Sequence, residues 1–331
     1  MADLQPLAYA ASDVPSHAEA RTKMLNGYQT EFAALRVIDS GERFKEMGIF
    51  LALFAAGMGL NLLGILDFKT LPGLIMRISG TLVTTLAVNS FVLLMHEGMH
   101  YVLFKNRTAN RWVSVALGAT FLMSYTSYRV LHTRHHRYLG DRRDPDDYEN
   151  YAGRPGLVWL MQYLRLSIGA VVYIFMIPFL AWRYANSTER RDILVEYAIL
   201  IPIYGILLMT LPGKLLVEVW FVPLLLTGWM TAVRGLSQHG VTNTRDPYLA
   251  SRSIEASRPV RFFMLNENYH LEHHLFPEIP SYHLGAAHQL IDPSLPRRVS
   301  MSSYLGFLLR FFVQSLSQDN RPIGLKDPAV S

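Results

Sequence analysis

The 331-residue chain contains no cysteine. Disulfides, thiolate zinc sites and cysteine-held iron–sulfur clusters are therefore excluded within it. It also lacks any run of basic residues interleaved with aromatics, so no nucleic-acid partner is expected. Charged residues are scarce, at 17%, and the net charge of +5 is modest. In an apolar chain such an excess of Lys and Arg fits loops on the inner face of a membrane. No apolar core follows a basic start, which argues against a cleaved signal peptide. There is no internal repeat, no low-complexity tract, no haem-binding cytochrome domain and no flavin motif.

What the chain has instead is apolar length. Half of its residues are hydrophobic, and six stretches stand out, at 47–66, 74–95, 112–130, 157–182, 193–211 and 214–234. About 20 residues cross the hydrocarbon core as a helix. The expected fold is all-α and polytopic: four transmembrane helices, interfacial helices, and a cytoplasmic cap at 235–317. The first two stretches make a hairpin through Asp67–Pro72, the last two through Leu211–Lys214. Residues 1–46 read as a cytoplasmic N-terminal region, 47–317 as the membrane domain, and 318–331 as a loosely ordered polar tail.

Nine of the twelve histidines lie in four short places bordering these stretches. They are His96 and His100; His132, His135 and His136; His239; and His270, His273 and His274. Each helical residue turns ~100°, so His96 and His100 point the same way, one turn apart. In each His-x-x-His-His cluster one turn fans three imidazoles over ~100°. Imidazole suits iron, zinc, copper or nickel, and one zinc takes about four ligands. Nine imidazoles exceed that. Two six-coordinate ions offer about twelve positions, leaving about three for water, oxygen or a bridging ligand. Glu97, Glu272, Asp141, Asp144, Asp146 and Asp147 are candidates to take the second ring N–H of a ligand histidine. His17, His283 and His288 read as solvated or surface residues. Asn89, seven residues before His96, reads as lining a substrate path or bonding a neighbouring helix.

A single metal site cannot draw ligands from both membrane faces. All four places must then share a side, with 112–130 and 157–182 in-plane or re-entrant and the site on the cytoplasmic face. His96-Glu97-Gly98-Met99-His100 also matches the H-E-x-x-H zinc protease signature. In a one-zinc hydrolase the two later clusters would have no role. A non-catalytic metal-dependent membrane protein, such as a lipid sensor or transporter, is a further alternative.

An H-x-x-x-H box ending a transmembrane helix, an H-x-x-H-H box about thirty residues on and a late H-x-x-H-H box resemble the membrane fatty acid desaturase family. Asn268-Tyr269-His270-Leu271-Glu272-His273-His274-Leu275-Phe276-Pro277 and His135-His136-Arg137-Tyr138-Leu139-Gly140 are especially similar. The resemblance covers roughly residues 45–295. It implies two non-haem iron ions held by the box histidines on the inner face, with His239 joining them, and O2 as co-substrate. It also implies a fatty acyl or lipid substrate, desaturated, hydroxylated or decarboxylated to a terminal alkene; desaturation is the leading expectation. Electrons must come from a separate protein such as a ferredoxin, rubredoxin or cytochrome. The basic set Arg134, Arg137, Arg142 and Arg143 would suit an acidic donor, or would simply reflect inner-face topology and lipid contact.

Overall fold

The computed structural model describes residues 14–152, 154–319 and 321–326. Helices dominate. Among the described residues, four are long and apolar enough to cross a membrane: Ser40–Leu66, Leu71–Met99, Ser187–Thr210 and Gly213–His239. They correspond to the four spans expected from hydropathy, each starting earlier and ending within a few residues of the expected end. The 112–130 stretch is divided between the helices Arg107–Ala119 and Tyr125–Tyr138. The 157–182 stretch is also interrupted, at Arg165. Pro155–Leu164 gives way at the π-turn Arg165–Gly169 to Ala170–Tyr184.

The chain forms two compact units. Residues 38–133 and 168–231 make a long-helix unit. Its first two helices approach closely because their contact is built from small residues. A Cβ on Gly57 would lie 2.5 Å from Thr84 Oγ1. Thr70 caps the second helix through the N–H of Gly73, and Pro72 occupies its first turn. Asn186 and Glu189 form a capping box that starts the third. Ion pairs tie the polar ends: Arg77 with Glu218, Arg111 with Asp192, and Arg129 with Glu189. Leu66, Leu74, Ile201, Leu208 and Met209 stay exposed, as lipid-facing side chains do.

The sheet-bearing unit combines residues of 1–37, 134–167 and 232–331. One core gathers Ala20, Met24, Phe32, Tyr248, Leu271, Phe276 and Leu284. Phe32 meets Phe276 with ring centroids 4.5 Å apart. The N-terminal helices His17–Leu25 and Gln29–Leu35 therefore belong to a core. His17, expected to be solvated, is half-buried, and burial lowers its pKa. A second core joins Trp159, Leu236, Ile254, Met301, Phe307, Phe311 and Ile323. A small sheet, unforeseen in an all-α reading, crosses this unit. Strand β1 (Arg252–Ile254) runs parallel to β2 (Arg298–Met301), and β3 (Leu325–Lys326) pairs antiparallel to β2. Within the polar tail, Ile323 enters the second core and Leu325–Lys326 pair with β2; 320 and 327–331 lie outside the described residues. Arg252 is fully buried, and its guanidinium donates to the carbonyls of Ser237, Gly240, Val241 and Ile323. Burial pushes its pKa down to about 9.

Candidate metal centre

The first box lies where the helix Leu71–Met99 stops, with His100 as its C-cap. The end is held from two sides: Asn110 Nδ2 and the Tyr125 hydroxyl both donate to the Gly98 carbonyl, at 2.8 and 2.9 Å. Gly98 is required there, because a Cβ would meet Ser114 Oγ at 1.8 Å. The chain then turns through Tyr101, at φ 61°, whose ring lies under the guanidinium of Arg107.

The second box rides on the helix Tyr125–Tyr138. Its first turn is fixed by the buried carboxylate of Glu196, which accepts from Ser124 Oγ at 2.6 Å and from the Thr126 N–H at 3.0 Å. A carboxylate at a helix N-terminus satisfies donors that have no partner inside the helix. His132 thereby joins the first box in the long-helix unit. Its Nε2 is 2.8 Å from His100 Nε2. The His96 ring is centred 4.4 Å from that of His132 and 5.2 Å from that of His100.

The other six histidines cluster in the sheet-bearing unit. His239, the last residue of its helix, lies with Nε2 2.9 Å from His270 Nε2 and 3.2 Å from His274 Nε2. His135, His239 and His274 place one ring nitrogen each within 4.8 Å of one another. His136 Nε2 is 3.2 Å from His273 Nε2, and its ring stacks on His274. A cavity reaches His135 and His239 past Asp144, Gln162, Arg165 and Thr242. The third box is the short helix His270–Leu275, every residue of it buried.

The carboxylates are used differently from the sequence expectation. Asp144 meets it: both its oxygens lie 3.0 Å from His135 Nδ1. Glu97 is held by Arg43 at 2.6 Å, both side chains fully enclosed, and an oxygen of it lies within 4.8 Å of a His96 ring nitrogen. Glu272 accepts from His288 Nδ1 at 2.6 Å and from Ser253 Oγ at 2.6 Å. Asp141 is taken by Arg143, and Asp147 accepts from Thr244. Asp146 donates its backbone N–H to Asp144. His288 is therefore part of the scaffold under the third box, not a surface residue, and His283 bonds the Leu35 carbonyl. Sequence reasoning missed Glu267, whose carboxylate lies within 4 Å of Nδ1 of both His270 and His273. Its spacing three residues before His270 was the available signal. Asn89 is fully buried. Of the basic set, Arg134 and Arg143 flank the Tyr138 ring, while Arg137 and Arg142 are exposed.

A family model described as fatty acid desaturase matches residues 72–305. The sphingolipid delta(4)-desaturase/C4-monooxygenase of Rattus norvegicus is 25% identical over 211 residues, 59% of each chain. The endoplasmic-reticulum omega-3 fatty acid desaturase of Vigna radiata var. radiata is 24% identical over 262 residues, 68% of each. The dihydrorhizobitoxine desaturase of Bradyrhizobium elkanii is 28% identical over 221 residues, 59% of this chain and 62% of that one. The present chain thus spans about three fifths of the length of the rat relative it matches.

Proposed function

The chain belongs to the fatty acid desaturase family, and on that premise we propose that it is a membrane-bound, O2-dependent oxidoreductase that desaturates a fatty acyl or lipid chain with two non-haem iron ions. The observation that carries the metal reading is the spacing of the imidazoles. Four Nε2 pairs lie 2.8, 2.9, 3.2 and 3.2 Å apart. Two nitrogens ~2.1 Å from one ion and at right angles to each other are ~3.0 Å apart. The nine-histidine, thiolate-free donor set fits iron, and the nine would hold both ions. Bound iron would supply the redox chemistry that uses O2 to attack an unactivated C–H bond. The protein's own part is orientation. Asp144 takes the Nδ1–H of His135, which leaves the Nε2 lone pair outward and stiffens the ring. The depth to which an apolar chain inserts would choose the carbons attacked.

Arg43 weighs against the zinc protease alternative. A glutamate locked in a buried ion pair is badly placed to activate a metal-bound water. Hydroxylation is the second reading, because the rat relative's name couples a desaturase with a C4-monooxygenase. The electron donor would be an acidic ferredoxin, rubredoxin or cytochrome docking near Arg137 and Arg142 on the cytoplasmic face. Cells expressing the chain and fed isotope-labelled fatty acid test the chemistry by lipid mass spectrometry. A new double bond is expected; an added oxygen or only a one-carbon-shorter terminal alkene would overturn desaturation. Elemental analysis showing one zinc and no iron would overturn the metal reading. The absence of native cysteine makes single-cysteine labelling clean. Outside labelling at Thr133→Cys or Asp146→Cys would overturn the cytoplasmic placement.

A further inference from the structure

We propose that Glu267 is a positioning residue that aims two metal-binding imidazoles at once. This rests on the metal reading above. The carboxylate is 1% exposed. One oxygen lies 3.5 Å from Nδ1 of His270 and the other 3.7 Å from Nδ1 of His273. The two rings are stacked, 21° from parallel with centroids 5.3 Å apart, so their Nδ1 edges face the same carboxylate. Their far nitrogens do not share a neighbour. His270 Nε2 meets His239 Nε2, and His273 Nε2 meets His136 Nε2. One acidic side chain therefore stands behind two different branches of the histidine cluster. A carboxylate accepting Nδ1–H fixes the ring's tautomer and orientation and makes Nε2 a stronger ligand.

The backbone delivers Glu267 to this position at a cost. Leu265 and Asn266, immediately before it, both adopt left-handed conformations, at φ 47° and 55°. Two consecutive non-glycine residues there persist only when their surroundings over-determine them. The surroundings do so. The Glu267 N–H donates to the Met264 carbonyl at 2.9 Å, and Gln238 Nε2 donates to the Glu267 carbonyl at 2.7 Å. Asn268 makes two 2.8 Å bonds with the backbone of Ile254, donating through Nδ2 and accepting at its carbonyl. A buried acid held this rigidly suits fixed geometry at its oxygens. Glu272, inside the box, offers a matched contrast: its oxygens serve Ser253 and His288.

The chemistry of the amide supplies the test. Glu267→Gln keeps the shape but has one acceptor oxygen, so it serves at most one of the two imidazoles and presents N–H to the other. The full chain, in detergent or nanodiscs, is loaded anaerobically with Fe(II) and challenged with a chelator. Iron per folded chain and the Mössbauer signature are recorded. Glu267→Gln is expected to lose iron at roughly 10–100-fold lower chelator concentration, with altered doublets. Glu272→Gln is expected to melt at lower temperature and keep wild-type iron retention. Glu267→Asp, should the amide fail to fold, is expected to fall between the amide's expected retention and wild type. Wild-type retention and doublets in Glu267→Gln or Glu267→Asp would overturn the proposal. So would equal iron loss in Glu272→Gln. Wild-type protein that holds no iron would instead overturn the metal reading beneath it.

Discussion

The two histidine clusters differ in what stands behind the rings. In the sheet-bearing unit, acids from outside the boxes stand near Nδ1: Asp144 at His135, and Glu267 beside His270 and His273. In the long-helix unit the acid nearest the rings, Glu97, is committed to Arg43. The difference follows from helix geometry. A glutamate next to a histidine in sequence is rotated by ~100° from it and addresses another surface. Glu97 and Glu272 are each engaged by a residue outside the boxes, Arg43 and His288. At His135, His270 and His273 the acid beside the ring comes from outside the box, nine residues on for Asp144 and three residues before His270 for Glu267.

Removing rings gives the largest expected effect and asks whether both clusters are needed. His100→Ala, His136→Ala and His274→Ala should each reduce product formation by roughly 100-fold or more, in line with or beyond losses from outer-shell changes. Membrane insertion, set mostly by hydropathy, should be unaffected. Substantial product from His100→Ala would mean that the long-helix cluster is dispensable. Next in size is the buried ion pair. Arg43→Met should destabilise the protein by about 3–5 kcal/mol, since it removes the partner of buried Glu97 and of Glu46, and adding Glu97→Gln should recover part of that. Thermal unfolding of the solubilised protein measures both. If the double variant were no more stable than the single one, Glu97 would have work to do at the rings, and the contrast between clusters would collapse. Asp144→Asn should cost roughly 10–100-fold in iron affinity with little change in unfolding temperature, read by chelator competition.

The smallest effect concerns pH. Burial would lower the pKa of His288, but its hydrogen bond to Glu272 outweighs that and raises it. A raised histidine contributes stability that is complete below ~6.5 and fades as pH rises through the folded-state value. The melting temperature should therefore drop slightly on the alkaline side, and His288→Gln should flatten the slope. An unchanged slope would detach His288 from the third box.

Hydropathy made the four long helices legible, because a bilayer demands about 20 apolar residues whatever the neighbours. The histidines were legible because their repeated spacing has few structural uses. What hydropathy could not show is how polar segments pack once water is excluded. His17 reads as solvated in a polar N-terminal region, yet it is half-buried, and Phe32 nearby is enclosed against Phe276. The strands Arg252–Ile254 and Leu325–Lys326 are too short to leave a two-residue period. His288 lies 14 residues beyond His274, and only tertiary packing ties it to Glu272.

Arg252 gives the tail a mechanical meaning. Its guanidinium grips the Ile323 carbonyl with one edge and the carbonyls of Ser237 and Gly240 with another. The helix that ends in His239 and the segment leading into β3 are thus moored to the same cation. A protease nick or a tag that drags on residues 321–326 would loosen this mooring, and the slack would be felt first at a candidate iron ligand far away in sequence.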